Sequence, residues 1–446
     1  MSAAEEPSPL PRAIWKGGRL VAQSGGITEG IPTLFLMCSD GLACAISLAA
    51  SSLLFSWIEQ FPMVLLTSVI SYGFGGALFG LYPGRGMLGP ARLRLRAFLA
   101  LVAFLSPGMV LLALHSHEAN LDFLTCLAAG SMLALLGSLL ELTTIWTADA
   151  YDLWRAPAVF MGSPEEKRRI ARDLEIFPEL GLKLVQDREA APGAMDVISL
   201  KGLASRAASQ TSYLVDPSAP LPALLPLHEI GASRDVSSGK FLAYALKRMM
   251  DFVLGAIGLI LFSPVMIVTA FMIFLRDGTP IFYRQARGGK DGATIHVWKF
   301  RSMYRDAEQR LERLIQNDPS TRTEWERYFK LRDDPRILPG IGAFIRKTSI
   351  DELPQIWNVL TGDMSIVGPR PFPPEHLAAF SKEFRKLRSS VMPGITGLWQ
   401  VTLRSDGDLE QQEYLDRAYI DGWSLWLDLY IILRTPLALL WVRGAR

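Results

Sequence analysis

Apolar and polar positions are distributed very unevenly along the chain. Four long apolar runs, Pro32–Trp57, Pro62–Tyr82, Phe98–His115 and Leu121–Thr144, each approach the ~20 residues that a membrane-spanning helix needs. Basic residues sort between them. Arg12, Lys16 and Arg19 precede the first run, and Arg85, Arg92, Arg94 and Arg96 separate the second from the third. The short loops near Glu59 and between His115 and Asp122 contain no Lys or Arg. The positive-inside rule then puts both ends of a four-span module, residues 31–146, in the cytoplasm. Residues 1–30 are polar and read as a mobile cytoplasmic arm with no cleavable signal. Asp40 and Glu141 lie within or at the ends of spans. Such carboxylates can mark an ion path, but no second intramembrane charge accompanies Asp40 within its segment, which favours a polar contact between helices or an interfacial position.

After the fourth run the pattern changes to short apolar stretches that alternate with polar ones. Ala158–Met161, Leu182–Val185, Asp196–Leu200 and Tyr213–Asp216 read as strands. Ser163-Pro-Glu-Glu166 carries an N-cap, a Pro at the first helical position and a capping-box Glu, which predicts a helix running to about Glu175. Together they predict a small α/β, Rossmann-like cytoplasmic domain over residues 155–218. Only Gly162 stands where a dinucleotide site would want G-x-G-x-x-G, so no cofactor is expected there. Residues 219–240 are rich in Pro and Ser and read as a linker.

A fifth apolar run, Asp251–Leu275, differs from the others. Ser263-Pro264 sits at its centre, and basic residues flank both ends: Lys247 and Arg248 before, Arg276, Arg284, Arg287 and Lys290 after. A mid-helix Pro removes a hydrogen bond and clashes with the preceding turn. Both flanks are then held on one side of the bilayer, which predicts a helix–break–helix over 247–276 that enters one leaflet and returns. A kinked spanning helix is the other possibility. It would put everything after residue 276 outside the cytoplasm. Beyond this run the chain is mostly α by pattern. Residues 304–332 are charged with a helical period, and Trp423–Leu433 suits an amphipathic helix lying in the membrane interface.

Composition agrees with a mixed membrane and soluble protein. Half of the 446 residues are apolar and mean hydropathy is +0.22. The net charge of +2 says little by itself, since the first 150 residues hold few charges and the last 200 many; no nucleic-acid partner is expected. The three cysteines, Cys38, Cys44 and Cys126, form no disulfide framework and no zinc spacing, and the five histidines have no ligand spacing.

The densest chemistry lies in Arg346-Lys-Thr-Ser-Ile-Asp-Glu-Leu-Pro-Gln355. Ser349-x-x-Glu352 fits a capping box and Asp351 is a good N-cap, so Asp351 and Glu352 can simply start a helix. The same placement also suits catalysis. A helix N-terminus favours phosphate oxygens and an ionised carboxylate, and an Asp there can attack phosphorus to give an acyl phosphate. Its neighbour Glu352 would help to hold Mg²⁺ alongside substrate phosphates. Lys299, Arg301, Arg336, Arg346 and Arg370 recur beside Gly/Pro turns around this pair. They are candidates for a diphosphate clamp, although any one alone could be an ordinary ion-pairing residue. Pro393-Gly-Ile-Thr-Gly397 is a turn that could bring backbone N–H groups to a ligand, or only a turn.

These stretches resemble the bacterial polyprenol-phosphate sugar-1-phosphate transferases of the monotopic phosphoglycosyl transferase type. The likeness rests on Lys247-Arg248-x-x-Asp251, Ser263-Pro264, Gln285-x-Arg287-x-Gly289, Trp298–Met303, Asp334-Pro-Arg336, Thr348–Gln355, Asn358–Pro371 and Pro393–Gln400, in order over 241–446. Gly288 departs from the bulkier residue expected there. The resemblance implies transfer of sugar-1-phosphate from a UDP-hexose to undecaprenyl phosphate, with release of UMP. It implies Asp351 as nucleophile, Glu352 as Mg²⁺ ligand and Ser263-Pro264 as the elbow of a re-entrant helix. It further implies the bacterial inner membrane with catalysis on its cytoplasmic face and a role in exopolysaccharide, capsule or O-antigen synthesis; the small α/β domain and the spans, which carry no apparent chemistry, could form a homodimer. The rivals are an inactive membrane scaffold, a transporter of lipid-linked sugar, which would want paired intramembrane charges, and a one-step transferase in which Asp351 acts only as a base.

Overall fold

A computed structural model describes residues 27–440 apart from 56–60, 80, 83–86, 88, 115–118, 162–163, 186–194, 200–211, 216–223, 227–239, 319–321, 323–330, 332–333 and 404–408. Residues 1–26 of the N-terminal arm, Arg85, Ser163, the loop near Glu59 and most of the stretch read as a linker lie outside the described residues, and Ile27–Gly30, read as arm, already belong to a helix.

The four apolar runs become α1 (Ile27–Leu54), α2 (Phe61–Leu78), α3 (Gly89–Leu114) and α4 (Ala119–Ala150), each long and apolar enough to cross a membrane. Their mutual core is small and apolar: Ala43, Leu48, Ala100, Phe104, Ala129 and Leu133 are all buried. Helix α3 starts nine residues before the expected Phe98. Arg92 and Arg96 are therefore helical and buried, not free loop charges. Arg96 donates to Asp40 at 2.5 Å and to Glu141 at 2.6 Å, and Arg92 pairs with Glu141. Tyr72 and Tyr82 complete the cluster through Arg96 and Asp40. The two carboxylates are thus contacts between helices, and these two arginines cannot also be counted as loop charges in a topology argument.

The next unit is a five-stranded sheet. Its strands are β1 (Ala156–Met161), β2 (Leu182–Leu184), β3 (Met195–Ser199), β4 (Ser212–Val215) and β5 (Leu224–Pro226), in the order β2-β1-β3-β4-β5. The first three pairings are parallel, and β5 returns antiparallel on β4 from within the stretch read as linker. Helix α5 (Pro164–Ile176) buries Ile170 and Leu174 against this sheet.

The long helix α6 (Lys240–Asp277) is helical without interruption. Ser263-Pro264 does not split it into two helices, and Ser263 Oγ bonds back to the Ile260 carbonyl at 2.8 Å. That back-bond lets a serine sit inside a helix. Both ends of α6 nevertheless pack on one unit. Near its start, Arg248 donates to the carbonyls of Val359 and Leu360, and Lys247 to that of Val367. Near its end, Ile273 packs with Phe300, Leu338 and Ile345. Between them Ile260 and Leu261 are 76% and 67% exposed.

That unit contains the hairpin β6 (Phe282–Gly288) and β7 (Thr294–Phe300), then α7 (Ala307–Asn317), α8 (Ile341–Lys347), α9 (Gln355–Thr361), β8 (Ser365–Val367), α10 (Pro374–Ala378), α11 (Lys382–Ser389), β9 (Gly394–Thr396), α12 (Leu398–Thr402), α13 (Leu409–Asp421) and α14 (Leu425–Leu440). Helix α14 departs from the interfacial position expected of its Trp- and Tyr-rich segment. Leu427, Asp428, Tyr430 and Ile431 are buried in a core shared with the α/β sheet, α13 and Leu93 of α3. Glu179, just before β2, accepts from Tyr430 Oη and Arg434. An apolar stripe records that a helix needs covering; it does not say whether lipid or protein covers it.

Candidate active site

The acid pair does not occupy a helix N-cap. Ile350–Glu352 form a single 3₁₀ turn, and α9 begins only at Gln355 with Pro354 as its N-cap. Pro354 has no N–H with which to continue an α-type ladder back to Ile350. The turn closes instead by Leu353 N–H to the Ile350 carbonyl, 3.1 Å. Ser349 sits at φ +58° and makes no capping bond, so the expected capping box is not formed. Helix α9 has only seven residues and starts after the acids. The positive field at the pair comes from side chains.

Two cations supply it. Lys299 Nζ, from β7, and Arg370 Nη2, after β8, each lie 2.7 Å from Glu352 Oε1. Burial raises the Glu352 pKa, but Arg370 and Lys299 outweigh it and bring it down to about 2. Asp351, one residue away, makes no hydrogen bond or ion pair among the described residues. Burial pushes its carboxyl up to about 6; Lys299, Arg346 and Arg370 oppose that shift, while the Glu352 charge adds to it. Adjacent acids thus have separated titrations, the usual mark of divided roles.

A pocket opens beside the pair. Arg287, Lys299, Glu352, Gln355 and Arg370 give it its polar wall, and Val297, Pro371, Gly394 and Ile395 complete the lining. Two glycines let its floor close. In the parallel pair β8–β9, Ser365 faces Gly394. A Cβ on Gly394 would lie 2.1 Å from the Gly368 nitrogen, so no side chain fits there. Helix α6 fixes this floor: buried Asp251 accepts from Ser365 Oγ at 2.9 Å and from Ile366 N–H at 3.0 Å. Arg388, paired with Asp416, holds the Arg370 carbonyl from behind.

The expected clamp separates into two groups. Lys299 and Arg370 converge on the pair, and exposed Arg346 at the end of α8 acts on Asp351 by charge. Arg301 does not belong to the pocket. It is buried and ties the end of α6 to β7 through Asp277, the Pro280 carbonyl at 2.6 Å and the Gly278 carbonyl at 2.8 Å. Arg336 is a buried bidentate partner of Asp334, at 2.7 Å for both contacts. In each case a nearby carboxylate claims the guanidinium, and Asp-Asp-Pro-Arg already placed one two residues away. Arg287 and Gln355 were quoted in the motifs but given no role, yet both line the pocket. No group of three or more His, Cys, Asp or Glu side chains gathers among the described residues.

Residues 242–442 match the bacterial sugar transferase family. Over 229 residues, 51% of this chain, the sequence is 36% identical to the exopolysaccharide production protein ExoY of Rhizobium meliloti and covers 97% of it. The chain belongs to the bacterial sugar transferase family. It is also 44% identical over 200 residues to an undecaprenyl-phosphate galactose phosphotransferase of Salmonella typhimurium, covering 45% of this chain and 41% of that one. A UDP-glucose:undecaprenyl-phosphate glucose-1-phosphate transferase of Escherichia coli is 40% identical over 201 residues, 43% of this chain and 39% of its own. The chain therefore spans about two fifths of the length of these larger relatives. The family match begins within α6 and includes the acid pair, both clamping cations and every lining residue of the pocket.

Proposed function

We propose that this protein transfers sugar-1-phosphate from a UDP-hexose to undecaprenyl phosphate at the cytoplasmic face of the bacterial inner membrane, as the first membrane step of a surface polysaccharide. The observation that carries the mechanism is the asymmetry of the acid pair. Glu352 is locked by two cations, and Asp351 is unbonded and ionised at neutral pH. In the first half-reaction a carboxylate oxygen of Asp351 attacks the β-phosphorus, the bond to the UMP oxygen breaks, and UMP leaves with that electron pair. In the second, an oxygen of undecaprenyl phosphate attacks the same phosphorus and Asp351 departs as carboxylate. One anhydride is exchanged for another, so little net driving force is needed.

Lys299 and Arg370 hold the diphosphate and offset its charge as the leaving group develops. The donor set suits Mg²⁺, which is commonly held by one or two carboxylates plus substrate phosphates. Glu352 would hold it together with the substrate phosphates, and when bound it would draw charge from the diphosphate. Both ends of α6 pack on the catalytic unit while its middle is exposed and apolar. This supports a segment whose two basic flanks stay on one side of the bilayer, keeping the pocket near the lipid phosphate. In the four-helix module the paired charges a transporter would need are present, but two arginines match two carboxylates in a closed, buried cluster. That arrangement favours a structural role.

The test is turnover of purified protein in lipid discs with Mg²⁺, undecaprenyl phosphate and a panel of UDP-sugars. The expected result is UMP released one-for-one with lipid-linked diphosphate sugar. No product with any UDP-sugar would move the protein to the scaffold reading.

A further inference from the structure

We infer that Gln355 reads a hydroxyl of the transferred sugar, an inference that rests on the transferase reading above. Gln355 opens α9 and is 3% exposed, yet it lines the pocket beside Glu352, Lys299 and Arg370. Its side-chain amide has no hydrogen-bond partner among the described residues. The amide is not among the sealed, unsatisfied polar atoms of the described residues, so it faces the pocket space with no protein partner and is open to a ligand.

The neighbours indicate what kind of ligand atom it meets. Arg287, Lys299 and Arg370 are donors only, and they suit phosphate oxygens. Glu352 is the other side-chain acceptor in the lining, and its Oε1 is taken by Lys299 and Arg370. The Gln355 carbonyl is the uncharged side-chain acceptor in the wall, and an acceptor needs a donor on the substrate. Phosphates of a UDP-sugar have none at neutral pH. The sugar, which is bonded to the β-phosphate that Asp351 attacks, carries several hydroxyls. The amide N–H₂ can at the same time donate to a sugar or phosphate oxygen, so one residue three positions after the acid pair's last member ties the hexose to the reacting phosphorus.

The experiment measures binding by calorimetry to the full-length chain in lipid discs, in an Asp351→Asn background so that no phosphoryl transfer occurs. The ligands are UDP, the UDP-hexose that the unmodified protein turns over fastest, and its monodeoxy analogues. Gln355→Met should weaken UDP-hexose roughly tenfold, the scale of one buried hydrogen bond lost, and leave UDP within about twofold of the parent. One deoxy analogue should bind the parent roughly tenfold more weakly and lose nothing further in Gln355→Met. Gln355→Glu keeps the acceptor but adds charge, so it should weaken both ligands and preserve their ratio. That variant guards against a Gln355→Met chain that fails to fold. Equal weakening of UDP and UDP-hexose by Gln355→Met, or a change in neither, overturns the inference while leaving the transferase reading intact. Absence of turnover by the unmodified protein with every UDP-hexose overturns the reading itself, and this inference with it.

Discussion

The molecule contains two clusters built from the same ingredients, two carboxylates and two cations, and they do opposite things. In the four-helix module Asp40, Glu141, Arg92 and Arg96 are all buried, and each acid has an arginine. Nothing there is left to react. At the pocket, Lys299 and Arg370 both bind one oxygen of Glu352 and neither bonds Asp351. Uneven pairing therefore creates function from a set of charges that even pairing would make inert. Removing one partner of a buried ion pair leaves an uncompensated charge, so the first cluster should control stability and the second activity.

The largest expected effect comes from removing the unpaired acid. Asp351→Asn should cut turnover on the order of 10⁴-fold or more, the scale seen when a nucleophile is lost. Its Tm should be no lower than that of the unmodified protein at pH 7. The sign follows from linkage: Asp351 is raised to about 6, so its ionised form opposes folding above its unfolded pKa, and the amide removes that cost. A drop in both activity and Tm would make Asp351 a structural residue.

Arg96→Met should do the reverse. It strands Asp40 and leaves Glu141 with Arg92 alone, and a broken buried network of this kind costs about 3–5 kcal/mol. Thermal unfolding in detergent should show the loss, and the protein that stays folded should keep its KM for UDP-hexose. A changed KM with unchanged Tm would erase the contrast between the clusters.

Arg370→Lys is a smaller perturbation. It keeps the charge and loses the planar fork, so kcat/KM should fall about 10- to 100-fold. Smallest is the effect of pH. Glu352 stays ionised down to about 2 and Asp351 only to about 6. The log of kcat/KM should therefore fall with unit slope below about pH 6, reaching about a tenfold loss at pH 5. A flat profile between pH 5 and 7 would mean that both acids share the same fate.

Much of this arrangement was legible in the sequence, because it depends on patterns that are local. The four apolar runs became α1 to α4, the alternating segments became strands of one sheet, and Glu352, next to Asp351 in the chain, lines the pocket with Lys299 and Arg370. What was not legible depended on distant partners. Arg92 and Arg96 look like loop charges until α1 and α4 present Asp40 and Glu141 to them. Arg301 looks like a phosphate ligand until Asp277 takes it. The Trp-rich segment of α14 has the composition of an interfacial helix, and only the shared core with the sheet and α3 shows that protein covers it. Two details were available locally. Pro354 forbids the α-type bond to Ile350 that a helix capped at Ser349 would need. Asp334 stands two residues before Arg336 and could have been named as its partner. Gln355 left no trace of its own, since an amide has no motif and its importance lies in the absence of a neighbour.

The most direct test of the account is to trap the first half-reaction. Purified protein in lipid discs would be mixed with Mg²⁺ and UDP-hexose labelled in the β-phosphate, with no polyprenol phosphate present. The account predicts label retained on the protein, UMP released in equal amount, and both lost in Asp351→Asn. Label on Asp351→Asn, or no UMP until undecaprenyl phosphate is added, would contradict it.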